Sequence, residues 1–227
     1  MTESLAFQVA APASGEKPAQ LVVLLHGLGA NGADLLSLAP YWAPQLPDAV
    51  FVAPDAPFPC DMAPVGYQWF SLQNRSLEAM EKGARAVAPI LNRFLDEQLT
   101  TYQLPAHKLA LVGFSQGTMM SLYVAPRRRP VPAAVVGYSG ALIAPAILET
   151  ETTTPQEGSY RGFPILLVHG DADPVVPFMA LDHAAKGLRG AGYRVTTLAR
   201  PGLGHSIDAE GLAAGAVFLR RSFGLDS

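Results

Sequence analysis

Hydrophobic positions along this chain fall into two alternating kinds of segment. Short, nearly all-apolar runs occur at Leu21-Val-Val-Leu-Leu25, Ala49-Val-Phe-Val52, Lys108-Leu-Ala-Leu-Val112, Ala133-Ala-Val-Val136, Pro164-Ile-Leu-Leu-Val168 and Arg194-Val-Thr-Thr-Leu198. Runs this short, without polar alternation, predict strands of a sheet covered on both faces. Leu5-Ala-Phe-Gln-Val9 alternates more and predicts an edge strand. Between the runs lie longer stretches with helical spacing. Leu77 to Leu99 is the longest, with Ser76 as its N-cap and Pro89 as a site for a kink. Ser115–Val124, Phe178–Arg189 and Ala209–Phe223 predict three more helices. Strand–helix alternation over the whole length predicts a single α/β domain spanning residues 1–227, with a mostly parallel sheet and helices on both faces.

No internal repeat or low-complexity linker divides the chain. Pro54 to Asn74, rich in proline and aromatics, and the polar stretch from Glu149 to Gly162 read as loops inserted into one sheet. Arg127-Arg-Arg129, after a helix, predicts a solvated helix end.

Composition narrows the function classes. With 49% hydrophobic and 15% charged residues, the 227-residue chain is no disordered segment. At this size about 70% of the unfolded surface is buried on folding, enough for one large core. The formal charge of −3 provides no field to gather nucleic acid. Cys60 is the only cysteine, so an intrachain disulfide and a cysteine zinc cage are both excluded. The five histidines lack His-x-x-x-His spacing and clustered carboxylates, so no metal is expected. No apolar run approaches the length of about 20 residues that a membrane helix needs. The acidic start Met-Thr-Glu lacks a basic, apolar leader, and the expectation is a cytoplasmic protein without cofactor.

Chemistry concentrates in four places. Gly113-Phe-Ser-Gln-Gly117 follows a predicted strand and opens a helix, the context of a G-x-S-x-G nucleophile elbow. The sharp turn lifts a serine hydroxyl above the sheet, which nominates Ser115. His205, in Gly202-Leu-Gly-His-Ser206, lies in a loop at the same sheet edge and is the candidate base. His169-Gly-Asp-Ala-Asp-Pro-Val-Val-Pro177 supplies two candidates for the orienting carboxylate, Asp171 and Asp173; either could instead cap the following turn. The order Ser…Asp…His matches α/β-hydrolases and neither chymotrypsin nor subtilisin. Finally, His26-Gly-Leu-Gly-Ala-Asn31 is a glycine-rich turn after the first buried strand. In the elbow template one oxyanion donor follows the nucleophile, the Gln116 amide, and the other comes from this turn, assigned to Leu28. The turn fits no nucleotide-binding fingerprint.

Together these four ordered motifs resemble the phospholipase/carboxylesterase family of small serine α/β-hydrolases, which includes acyl-protein thioesterases. The resemblance runs from about Leu21 to the last helix. It implies Ser115 as nucleophile, His205 as base, Asp173 as acid, and Leu28 and Gln116 as oxyanion donors. Two departures stand out: Thr118, where the family commonly has another glycine, and Arg127-Arg-Arg129 with its flanking prolines. Cys60 is not in an elbow, which argues against the related hydrolases with a cysteine nucleophile. His26 and His169 read as structural, His107 and His183 lack a supporting motif, and Trp42 reads as core.

The expected activity is hydrolysis of small-molecule carboxylic esters of short to medium chain, with bulky or oligomeric esters admissible. Acyl thioester or lysophospholipid hydrolysis is the alternative within the same chemistry. A catalytically silent hydrolase-fold binding protein is the remote alternative from another class. Neither insertion suits a long amphipathic lid helix, and Pro145 interrupts Ala141–Leu148. The expectation is therefore an open groove, lined by Phe58, Met62, Trp69 and Phe70 from the first insertion, by Leu142, and by Val175 and Val176, with packing beneath the loop as the other reading of Trp69 and Phe70. Monomer and homodimer are equally compatible with the sequence.

Overall fold

The computed structural model describes residues 4–152 and 162–226. In chain order the elements are β1 (Phe7–Ala10), β2 (Gln20–Leu25), α1 (Gly32–Leu36), α2 (Ala39–Trp42), β3 (Ala49–Pro54), β4 (Phe58–Pro59), β5 (Tyr67–Gln68), α3 (Leu77–Thr101), β6 (Leu109–Phe114), α4 (Gln116–Val124), β7 (Ala134–Tyr138), α5 (Pro145–Thr152), β8 (Pro164–Gly170), α6 (Met179–Gly190), β9 (Arg194–Arg200) and α7 (Ala209–Ser222). Seven strands form one sheet in the order β1-β3-β2-β6-β7-β8-β9. Only β1 runs antiparallel. β4 and β5 make a separate small ribbon inside the Pro54–Asn74 insertion.

Side chains alternate across the parallel strands, so each strand feeds two cores. Leu21, Val23 and Leu25 of β2 join the core under α3, α4 and α6, whereas Val22 and Leu24 join the core under α1, α2 and α7. Trp42 closes the second core and donates from Nε1 to the Leu212 carbonyl at 2.9 Å, so its polar edge is satisfied while its rings are buried. The expected α/β architecture, a mostly parallel sheet with helices on both faces, is the one found.

Four local expectations need correction. The Arg194–Leu198 run is not a buried strand: β9 is the second sheet edge and alternates between exposed and half-buried positions. Its sequence carries two arginines and two threonines, polar residues of the kind found on exposed sheet edges. Pro145 does not interrupt an apolar run but starts α5, where its missing N–H costs nothing. The Arg127–Arg129 stretch is solvated only in part: Arg129 is exposed, Arg127 half-buried and Arg128 turned inward. Arg128 is buried and bonds Asp96 Oδ1 at 2.5 Å and Asn92 Oδ1 at 2.7 Å, tying the end of α4 to α3. The Arg127 guanidinium lies 4.0 Å from the Tyr123 ring centroid and pairs with Glu151 at 2.6 Å. Finally, α3 ends at Thr101, two residues beyond the predicted Leu99, with Pro89 inside the helix. The expectation for the 149–162 loop falls largely on residues 153–161, outside those described.

Candidate active site

β6 lies at the centre of the sheet, and the chain turns sharply at its C-terminal end. Ser115 has φ 54° and ψ −114°, a conformation that non-glycine residues adopt only where the surroundings enforce it. Two glycines make the turn feasible. A Cβ on Gly117 would stand 1.8 Å from the Leu25 carbonyl oxygen, and one on Gly113 would stand 2.3 Å from the Thr118 amide nitrogen. The Ser115 amide donates to the Tyr138 carbonyl at 2.9 Å, so β7 holds the strained residue in place.

Thr118 sits directly beneath this turn. Its Oγ1 is 2.8 Å from both the Gly113 and Tyr138 carbonyl oxygens, so its single hydroxyl proton is shared between the ends of β6 and β7. Its methyl group occupies space that Cβ atoms on Gly137 and Gly140 would fill, with approaches of 2.6 and 2.5 Å. This side chain is thus matched by two glycines across from it.

Asp173 and His205 come from loops after β8 and β9. The buried Asp173 side chain accepts His205 Nδ1–H through Oδ2 at 2.8 Å, and its Oδ1 accepts the amides of Val175 at 2.8 Å and Val176 at 2.9 Å. Burial is the strongest single influence on this carboxyl and opposes ionisation. The hydrogen bonds from His205, Val176 and Val175 and the attraction of His205 outweigh it together, holding Asp173 below the usual carboxylate range. A carboxylate only accepts, so Nδ1 of His205 carries a proton and, in the neutral ring, Nε2 presents a lone pair. The ring packs against Phe114, with centroids 4.8 Å apart. Asp171, the other candidate, is exposed and accepts the Gly202 amide at 2.7 Å, bracing the His205 loop without touching the imidazole. His169 is buried, and its Nε2 lies 2.9 Å from the Val176 carbonyl and 3.4 Å from Asp173 Oδ2.

The turn after β2 is held from several sides. Buried His26 accepts the Ala56 amide at Nε2 (2.9 Å), which leaves Nδ1–H to donate to the Gly27 carbonyl (2.7 Å). Gly29 donates to Tyr67 at 2.9 Å and Tyr67 donates back to Ala30 at 2.8 Å. The Gln116 side chain completes a staple: Oε1 accepts the Trp69 amide at 2.9 Å, Nε2 donates to the Phe70 carbonyl at 2.7 Å, and Trp69 Nε1 donates to the His26 carbonyl at 3.0 Å. Residues 67–70 therefore link the Leu28 turn to the start of α4. Among the described residues no carbonyl accepts from the Leu28 or Gln116 amide.

Burial lowers the His26 pKa below the ordinary histidine value and outweighs the Gly27 hydrogen bond and the Asp55 and Asp34 charges, which act the other way. Its contribution to stability is thus fully present above the unfolded-state value of about 6.5 and lost as pH falls below it, because only the unfolded chain then takes up the proton. His26→Gln should lower stability at pH 8 but flatten its decline from pH 7 to pH 5, measured by urea unfolding. An equally steep decline in the variant would show that His26 does not titrate on unfolding.

Ser115 and His205 open onto one cavity of about 370 Å³, walled by Leu28, Met80, Met119, Val175, Val176 and Ala180 among others. Val175 and Val176 are where the sequence reading puts them. The other expected lining residues are not. Trp69 is fully buried in the staple, and Phe70 packs on α3 at Gly83, where a Cβ would approach to 2.7 Å. Leu142 turns onto α6, within 2.8 Å of a Cβ at Gly187, leaving its neighbour Ala141 at the cavity. Phe58 lines a separate 390 Å³ recess with Leu5, Asp55 and Ile90, and Met62 is exposed. Met80 and Met119 escape notice in the sequence because only the packing of α3 beside α4 turns them to the site. Among the described residues no group of three or more His, Cys, Asp or Glu side chains could hold a metal ion, and no helix is long and apolar enough to cross a membrane.

The chain is similar to known proteins over most of its length. The chain is 31% identical to Esterase YpfH of Escherichia coli K12 over 197 residues, covering 86% of this chain and 80% of that protein. It is 27% identical to Acyl-protein thioesterase 1 of Gibberella zeae over 226 residues, covering 92% and 93% of the two. The crystal structure of esterase PE8 superposes with a TM-score of 0.87 at 37% identity, over 96% of this chain and 99% of that one. The model of the phospholipase/carboxylesterase family matches residues 7–223, and the chain belongs to that family.

Proposed function

We propose that this protein is a carboxylesterase that works through a Ser115–His205–Asp173 triad and a covalent acyl-enzyme. The observation that carries the reading is the 2.8 Å bond from His205 Nδ1–H to buried Asp173, on an imidazole that shares one apolar cavity with Ser115 at its strained turn. His205 Nε2 takes the Ser115 hydroxyl proton as Oγ attacks the acyl carbon. The Leu28 and Gln116 amides receive the tetrahedral oxyanion, and the histidine returns its proton to the departing alcohol. Water, deprotonated by the same nitrogen, then releases the acid and regenerates the serine. Asp173 fixes the tautomer and stabilises the imidazolium without being protonated. The sequence of steps calls for no cofactor.

Small-molecule esters suit a cavity of this size and apolar lining. The Met80–Met119 wall favours short to medium acyl chains, since methionines adapt to flexible apolar groups. Thioester hydrolysis is the second reading, favoured by the relatives named as acyl-protein thioesterases. The test has two parts. A fluorophosphonate should label Ser115 in the purified protein, and p-nitrophenyl esters should be cleaved with a larger kcat/KM than acyl thioesters of equal chain length. Absence of both labelling and turnover would leave a silent binding protein, and the reverse ranking would make the chain a thioesterase.

A further inference from the structure

The cavity beside Ser115 has three side chains with strong polar groups: Ser115, His205 and Arg75. The first two belong to the proposed reaction; the third has no part in it. Arg75 stands just before the N-cap of α3, where the backbone is set by two bonds. The Ser76 amide donates to Asn74 Oδ1 at 2.9 Å, and the Ala79 amide donates to Ser76 Oγ at 3.2 Å. The guanidinium is therefore anchored at its stem by a helix start.

Its situation differs from that of the other arginines. Arg85, Arg127, Arg128 and Arg200 pair with carboxylates, and every other described arginine has an ion pair, a hydrogen bond or another contact. Arg75 has no ion pair and no hydrogen bond among the described residues. None of the residues lining the cavity is acidic, and the one carboxylate of the proposed machinery, Asp173, is buried behind His205 with its oxygens engaged. Arg75 is exposed where it lines the cavity, so its guanidinium can meet a substrate carboxylate there, and its planar fork matches a carboxylate in two parallel hydrogen bonds.

We propose that Arg75 forms an anion subsite of this cavity and that the preferred substrates are esters bearing a carboxylate remote from the scissile bond. This rests on the esterase reading above. The bond cleaved and the steps are those already given; Arg75 contributes affinity and orientation at the far end of the substrate and is a specificity-determining residue.

Two substrate pairs test it. One carries the charge on the acyl side: the mono-p-nitrophenyl ester of an eight-carbon dicarboxylic acid, against the same ester with its free carboxylate replaced by a primary amide. The other carries it on the alcohol side: 4-carboxyphenyl butyrate against 4-carbamoylphenyl butyrate. In at least one pair the wild-type protein should favour the carboxylate in kcat/KM, and Arg75→Gln should reduce that ratio by about threefold to fivefold, the scale of one solvent-exposed ion pair. Arg75→Lys should retain part of the preference, and added salt should erode it in the wild type. An unchanged carboxylate-to-amide ratio in Arg75→Gln for both pairs would overturn the proposal. Calorimetric binding of the same four compounds to Ser115→Ala, with and without Arg75→Gln, gives a readout independent of turnover. If the wild-type protein cleaves nothing, the esterase reading falls, while these binding ratios still decide whether Arg75 recognises the anion.

Discussion

Ser115→Ala is expected to abolish ester turnover while leaving the fold unchanged, with a loss on the order of 10⁶ in kcat, as when the nucleophile of a comparable triad is removed. Alanine keeps the Cβ at the φ 54° turn, so the backbone strain is the same in both proteins. The Ser115 hydroxyl makes no capping bond to α4, and the amide bond to Tyr138 survives the substitution. Thermal unfolding should therefore shift little, in contrast to the collapse in rate. Residual activity above a few per cent of wild type, measured with p-nitrophenyl butyrate, would show that another group attacks the ester.

The second largest effect is expected at Asp173, and its chemistry differs. In Asp173→Asn the carbonyl oxygen can still accept the Val175 and Val176 amides, which turns the new NH₂ group toward His205 Nδ1. A donor facing Nδ1 requires that nitrogen to be the acceptor, so the proton moves to Nε2, and the ring can no longer take one from serine. The same exchange in a serine protease triad costs about 10⁴ in kcat, the scale expected here. Asp171→Asn should cost no more than a few-fold, because its oxygen can still accept the Gly202 amide and it makes no bond to the imidazole. Measured side by side, the reverse ranking would transfer the role of acid to Asp171.

The two aspartates also mark where sequence reasoning alone stops. Spacing and order bring both to the right loop, and a turn-capping role suits either. What separates them is a half-turn of chain: Asp173 points into the protein and meets His205, whereas Asp171 points along the surface to Gly202. Only the docking of the β8 and β9 loops decides that. The substrate cavity is less legible still. Trp69 and Phe70 are large apolar residues in a loop, and nothing local distinguishes a pocket wall from a buried staple. Their role follows from Gln116, 46 and 47 residues away in sequence, whose side chain holds both backbones. Arg75, Met80 and Met119 reach the cavity because α3 and the loop before it lie across α4, a packing that local periodicity cannot register.

By itself the sequence determined the layered architecture and the order of chemical parts along it. Strands that bury both faces must be apolar throughout, helices that bury one face must be periodic, and a serine on a sharp turn needs glycines where backbone meets backbone; each requirement is local enough to be written in adjacent residues. Tertiary structure decided the rest: that β9 is an edge, that Arg128 is buried against Asp96, which aspartate meets the histidine, and what walls the cavity. Those outcomes depend on which surfaces far apart in the chain come to face each other, and a side chain's role is set there by its partner across the gap rather than by its neighbours in sequence.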